Sequence, residues 1–390
     1  MRSTTTRRQF LLRSGALGCS LAASPLVTPV SFAAAPWDTR LVVIILRGGM
    51  DGLDAVQPYG DPALAGLRKN LSVGPGEGAI DLDGFYAMHS ALAPLMPMWK
   101  AGQLGFVHAV STPYRNKRSH FDGQDMLEAG TSALQGARDG WLNRMLQAVP
   151  GVTAQTAYAI GNEDMYLLRG AAEVANWSPQ ARLSLSPQAE RLLDLVSESD
   201  PAIHAALAEA KVLSEASEGL TRADGAGHIQ IAEFAAQQLS DEARVAAFSL
   251  NGWDTHLAQA NNLDKALTRL AETLITLRAK MRGNTWRKTA LIGMTEFGRT
   301  ARENGTRGTD HGTGGLMVLA GGAIKGGMVH GTWPGLGEGN LLDNRDLMPT
   351  GDVRAQAGWI MRGLTGLDRS VLESVVFPGV DMGTDPGLLL

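Results

Sequence analysis

The stretch "RLVVIILRGGMDGLD", residues 40–54, decides the fold. Its apolar run shows no polar alternation, the pattern of a strand buried on both faces. A glycine-rich turn follows at once and carries Arg47, Asp51 and Asp54. Five more runs share this character: "LGFVHAV" (104–110), "QTAYAI" (155–160), "VAAFSL" (245–250), "TALIGM" (289–294) and "GLMVLAG" (315–321). Helical stretches separate them. The clearest covers about 257–282, where Leu263, Leu267, Leu270, Leu274, Leu277 and Met281 recur at helical spacing along one core-facing stripe. Strands alternating with helices predict a mainly parallel sheet covered on both faces, an α/β three-layer α/β/α sandwich. Such sheets place their chemistry beyond the carboxyl ends of the strands.

Four of these strand ends deliver charge. Beyond Asp51, "STPYRNKRSHFDGQD" after 104–110 supplies Arg115, Arg118, Ser119, His120 and Asp122. "NGWDTH" after 245–250 supplies Asp254 and His256. "TEFGRTARENGTRGTDHG" after 289–294 supplies Glu296, Arg299, Arg302, Asp310 and His311 among its glycines. If these ends lie side by side, each contributes a carboxylate to one cleft, where the carboxylates would repel one another without a cation.

The amino terminus bears on the compartment. Arg7 and Arg8, then Phe10 and Leu11, a weakly apolar stretch and small residues at Ala33–Ala35 read as a twin-arginine signal peptide over 1–35. Pro25 and Pro29 interrupt the apolar stretch, so removal is expected rather than a stable membrane anchor. The expectation is a periplasmic or secreted protein that meets the twin-arginine translocase during export. Residues 36–390 then form a single domain with a helical insertion around 187–243.

Composition narrows the chemistry. Residues 1–35 hold four of the chain's 35 basic residues and no acid, which leaves 31 against 39 acidic residues and a formal charge near −8. With no basic stripe carrying interleaved aromatics, nucleic acid is not an expected partner. The only cysteine, Cys19, lies in the signal, so any metal must be held by oxygen and imidazole donors. Carboxylates with imidazoles suit Zn²⁺, Mn²⁺, Mg²⁺ or Ca²⁺, as one ion or as two that clamp the attacking and leaving oxygens of an ester.

The export signal, "LRGGMDGLDAVQPYGDP", "RSHFDGQD", "GWDTH", "TEFGRTARENGTRGTDHG" and "GGMVHGTWPGL" resemble, in this order, the domain-of-unknown-function 1501 family. That family is grouped with the alkaline phosphatase and sulfatase superfamily. The resemblance implies an alkaline phosphatase/sulfatase-like fold, with Asp51, Asp254, His256, Glu296 and His311 as the metal set and Asp310 as a further ligand or an orienting partner. Ser119 reads both as a helix cap and as a nucleophile at a helix N-terminus. Ser111, in "STPYR", is its weaker rival. His120 reads as ligand or base, and Arg115 or Arg118 as the cation holding oxyanion oxygens. His89, His108, His204 and His228 stand without an acid at ligand spacing and read as structural.

Two functions follow. One is a metal-dependent hydrolase of phosphate or sulfate esters acting on a small-molecule or glycan ester substrate. The other is a non-catalytic periplasmic binding or assembly protein that keeps the fold.

Overall fold

The elements that position the rim can be taken in chain order. Strand β1 (Arg40–Arg47) is followed by β2 (Leu104–Ser111), helix α1 (His120–Ala129) and helix α2 (Trp141–Ala148). Then come β3 (Ala157–Ile160), β4 (Ala175–Trp177), α3 (Gly227–Ser240), β5 (Val245–Asn251) and α4 (Gln259–Lys280). Next along the chain are β6 (Thr289–Met294), β7 (Gly315–Ala320), β8 (Val329–His330), β9 (Gly351–Asp352) and α5 (Val353–Thr365). A computed structural model describes residues 37–115, 118–133, 138–161, 164–179 and 227–390. The expected signal at 1–35 lies outside these residues, as does the 187–226 part of the expected insertion; the remainder of that insertion contains α3. Among the described residues no helix is long and apolar enough to cross a membrane.

Burial on both faces explains the unbroken apolar runs. Along β1, Val42, Ile44 and Leu46 enter one core cluster while Leu41, Val43 and Ile45 enter the other. The first cluster is completed by α3 and by the leucine stripe of α4, the second by α2 and α5. Two layers of helix thus sandwich one sheet, as the alternation of elements predicts. Leu263, Leu267, Leu270, Leu274 and Leu277 are all essentially inaccessible, so the stripe is core.

The sheet order is β8-β2-β7-β6-β1-β5-β3-β4, with β9 also paired to β2. β1 runs parallel to β5 and β6, β3 parallel to β5, and β4 parallel to β3. β7 is the exception, antiparallel to both β6 and β2. The four charged strand ends are therefore not all adjacent, because β7 separates β2 from β6.

That reversal has a benefit for the rim. A segment joining two antiparallel neighbours leaves and returns at the same edge of a sheet, so residues 295–314 stay where β1, β2 and β5 end. The segment pairs with itself, Arg299 bridging to His311 and the Gly298 and Gly312 amides bonding across. Its glycines have a steric reason. A Cβ on Gly298 would lie 1.9 Å from the Gly314 carbonyl oxygen, and one on Gly308 would lie 2.4 Å from the His256 carbonyl.

Candidate metal centre

The centre is built around Arg299, a large side chain that is fully buried. Its Nε donates to the Gly49 carbonyl (2.7 Å), Nη1 to the Thr309 carbonyl (3.0 Å), and Nη2 to the Gly48 and Trp253 carbonyls (2.7 and 3.1 Å). Nη2 also donates to Asp254 Oδ1 at 2.5 Å. The turn after β1, the end of β5 and the 295–314 segment are thereby tied to one guanidinium. Gly48 and Gly49 adopt left-handed φ values of 124° and 71°, which turns their carbonyls toward it.

Three histidines converge on Asp254. His120 opens α1, and its Nε2 lies 3.4 Å from Asp254 Oδ2. His256 Nε2 and His311 Nε2 lie 3.1 and 3.4 Å from Oδ1, and 2.8 Å from each other. One donor atom from each of His120, Asp254 and His311 falls within 4.8 Å of the others, the spacing of a group able to hold a metal ion.

Each imidazole is oriented through its other nitrogen. His120 Nδ1 meets Glu296 Oε1 at 2.8 Å, His256 Nδ1 meets Asp310 Oδ1 at 2.9 Å, and His311 Nδ1 meets the Arg118 carbonyl at 2.8 Å. Burial alone would raise Glu296, yet the hydrogen bonds from His120 and Gln124 hold it below the ordinary glutamate range. Asp310 and Asp254 are likewise depressed against a burial penalty, Asp310 by Asn304 and His256, Asp254 by Arg299. The acceptors are thus two carboxylates and a carbonyl, so all three Nδ1 atoms must carry hydrogen. The Glu296 hydrogen bond raises the pKa of His120, whereas burial lowers that of His311.

This proton count is the test of a metal. If the rings are neutral, His256 Nε2 and His311 Nε2 face each other with lone pairs and no hydrogen between them. Some cation, a proton or a metal, must relieve that contact. His120 Nε2 is buried and forms no hydrogen bond among the described residues. Histidines fixed at one nitrogen by carboxylate or carbonyl and open at the other are how metal ligands are presented, and the residues fit a divalent ion.

Several expected site residues are engaged elsewhere or take a different part in the centre. Asp51, expected among the ligands, is inaccessible and pairs with Arg68, whose Nη1 and Nη2 lie 2.6 and 3.1 Å from its two oxygens. Gln259 Nε2 adds a bond at 2.6 Å. Glu296 and Asp310 orient histidines, so neither is among the clustered ligand atoms. Arg115 folds back onto its own segment, donating to the Thr112 and Tyr114 carbonyls and to Ser111 Oγ. Arg118 serves the centre through its carbonyl; it holds a left-handed φ of 55°, an uncommon state for a residue with a side chain. Ser119 is the N-cap of α1, accepting from the Asp122 amide at 3.4 Å. No imidazole hydrogen-bonds its Oγ among the described residues.

The histidines read as structural behave so where they are described. His108 is buried and bonded to the Val56 carbonyl, His89 caps a short helix, and His228 pairs with Glu272. His204 lies outside the described residues. Trp253 is core, and Trp333 packs near His108 with its Nε1 donating to Asp61.

Other contributors escaped the sequence reading. Gln124 Nε2 donates to Glu296 Oε1 at 3.1 Å, and its own oxygen accepts from Arg47 Nη1 at 2.9 Å. Arg47 in turn pairs with the buried Glu128 at 2.7 Å. Helical spacing marks Gln124 and Glu128 as one face of α1, but nothing local says which carboxylate they meet. Arg345 donates to the His311 carbonyl and, with Arg302, lines a cavity of about 220 Å³ that includes Asp310. Phe121 and Leu257, each next to a site histidine, are 83% and 61% exposed.

Residues 93–358 match the family described as "Protein of unknown function (DUF1501)", and the chain belongs to that family. No curated protein matches it. Among solved structures, the C-terminal periplasmic domain of EcEptC from Escherichia coli is 11% identical, covering 73% of this chain and 72% of that one at a TM-score of 0.37. The lipoteichoic acid synthase LtaP from Listeria monocytogenes is 8% identical, covering 90% and 77% at 0.37. A TAB5 alkaline phosphatase mutant with Mg bound is 12% identical, covering 74% and 92% at 0.35. Likeness this distant assigns no activity to the chain.

Proposed function

We propose, from the centre's own chemistry, that the protein is an exported, metal-dependent hydrolase of phosphate or sulfate esters. The observation that carries the reading is the set of three imidazoles whose Nδ1 atoms are spent on Glu296, Asp310 and the Arg118 carbonyl, with their Nε2 atoms gathered at Asp254. His120, Asp254 and His311 would hold the ion, with His256 beside them. A bound divalent cation would supply Lewis acidity toward an anionic ester oxygen.

Ser119 is the nucleophile in this reading. It is flanked by Arg118 and His120, both of which contribute to the centre, and it begins a helix whose first amides favour an anion. Its Oγ forms the bond to phosphorus or sulfur as the ester oxygen departs, and its proton goes to solvent. Water then cleaves the serine ester and restores the hydroxyl. Arg118, beside Ser119, remains the cation for the oxyanion oxygens, while Arg345 and Arg302, which line the cavity that includes Asp310, would meet the rest of the substrate. The amino-terminal signal is proposed to direct export by the twin-arginine route.

One observation favours the non-catalytic alternative: no base contacts Ser119 Oγ among the described residues. Elemental analysis, with turnover of aryl phosphate and aryl sulfate by wild type and Ser119→Ala, separates the readings. Bound metal with turnover that disappears in Ser119→Ala supports the hydrolase. A metal-bearing protein inert toward both ester classes favours a binding role, and turnover that survives Ser119→Ala removes the serine from the mechanism.

A further inference from the structure

We infer that the centre holds a single divalent cation, and that Arg299 supplies the fixed positive charge a second ion would otherwise bring. The inference rests on the metal reading above and concerns its stoichiometry, for which the sequence allows one ion or two. A paired-metal site needs carboxylate oxygens free to reach both ions. The described residues have spent nearly all of theirs.

Asp51 accepts on both oxygens from Arg68, with further bonds from Gln259 and the Leu53 amide. Asp54 is held by Gln57 and Gln259. Glu296 Oε1 accepts from the Gly48 amide, His120 and Gln124, and Oε2 accepts from Thr295 Oγ1. Asp254 Oδ1 takes the Arg299 guanidinium and faces His256 and His311, leaving Oδ2 for the ion beside His120. Asp310 Oδ1 takes His256 and Asn304, so only its Oδ2 is without a hydrogen bond among the described residues. One spare carboxylate oxygen does not make a second coordination sphere.

Charge points the same way: the Arg299 guanidinium pairs directly with Asp254, the one carboxylate among the clustered ligand atoms, and so already places a fixed positive charge at the centre. Arg299 cannot withdraw to admit another ion without breaking its bonds to the Gly48, Gly49, Trp253 and Thr309 carbonyls. Buried carbonyls left without donors are costly, which makes this guanidinium a permanent part of the centre.

The test is stoichiometric and independent of turnover. The full chain is saturated with Mn²⁺, passed through gel filtration, and examined by elemental analysis, native mass spectrometry and electron paramagnetic resonance. One ion per chain is expected, with an isolated-ion spectrum at every loading. His311→Ala, checked for folding by circular dichroism, should lose at least ten-fold in Mn²⁺ affinity, and Arg299→Lys, which keeps the charge, should still bind one ion. Two ions per chain, or the spectrum of a spin-coupled pair, overturns this inference and leaves the metal reading standing. No bound ion in the wild type overturns both.

Discussion

Asp51 and Asp254 follow neighbouring parallel strands, β1 and β5, and reach the same rim in opposite states. Asp51 is inaccessible, with both oxygens engaged by Arg68 and a bond from Gln259. The Asp254 side chain is 46% exposed and looks onto three imidazoles. The same residue type after the same kind of strand thus becomes an internal strut in one case and a candidate ligand in the other. What separates them is how much of the carboxylate a guanidinium takes: Arg68 engages both oxygens of Asp51, whereas Arg299 reaches only Oδ1 of Asp254 and leaves Oδ2 facing His120 Nε2.

The widest separation between the two regions should come from removing the strut's partner. Arg68→Leu leaves Asp51 charged and buried, and is expected to cost about 3–5 kcal/mol of unfolding free energy, read by urea denaturation. A loss below about 1 kcal/mol would mean that Asp51 is not the buried anion described.

His108 tests the strut region by pH. Burial depresses its pKa from 6.5 to about 4, so the unfolded chain binds the proton more readily than the folded one. The stability this neutral histidine preserves is complete above pH 6.5 and is lost as pH falls toward 4, by about 3 kcal/mol. His108→Gln should flatten that slope in urea titrations at pH 7 and 4.5. An unchanged slope would assign the acid sensitivity to other groups.

On the ligand side, Glu296→Gln is expected to weaken divalent-metal affinity about 10- to 100-fold by loosening the His120 ring, measured calorimetrically with Zn²⁺ or Mn²⁺. Equal affinity would show that Glu296 orients nothing the ion uses. The smallest effect belongs to the rim: Phe121→Ser should change stability by less than about 0.5 kcal/mol. In the hydrolase reading it should also raise the KM for aryl esters a few-fold, and a large stability loss would show that the ring is packed rather than presented.

Much of this was legible along the chain. The six apolar runs all became strands, because burial on both faces leaves its mark residue by residue. The α4 stripe was equally readable from its spacing. Asp254, His256 and His311 were visible as chemistry at strand ends, and His120 as a group beside Ser119. The role of Glu296 was not, and that of Asp310 stayed open between ligand and orienting partner, since whether a carboxylate faces an ion or an imidazole depends on a few ångströms between segments far apart in sequence. Arg299 stood in the charged segment without a role, because its acceptors are carbonyls, which every residue possesses.

The sequence by itself determined the layered α/β architecture, the strand ends that carry charge and the absence of any thiol donor in the chain beyond Cys19. Tertiary structure alone decided that β7 runs antiparallel and returns residues 295–314 to the rim, that Arg68 captures Asp51, and that three Nε2 atoms meet at Asp254. The reason is physical: an apolar run or a helical stripe records its burial locally, whereas a hydrogen bond or an ion pair depends on which distant atoms the packed sheet brings within about 3 Å.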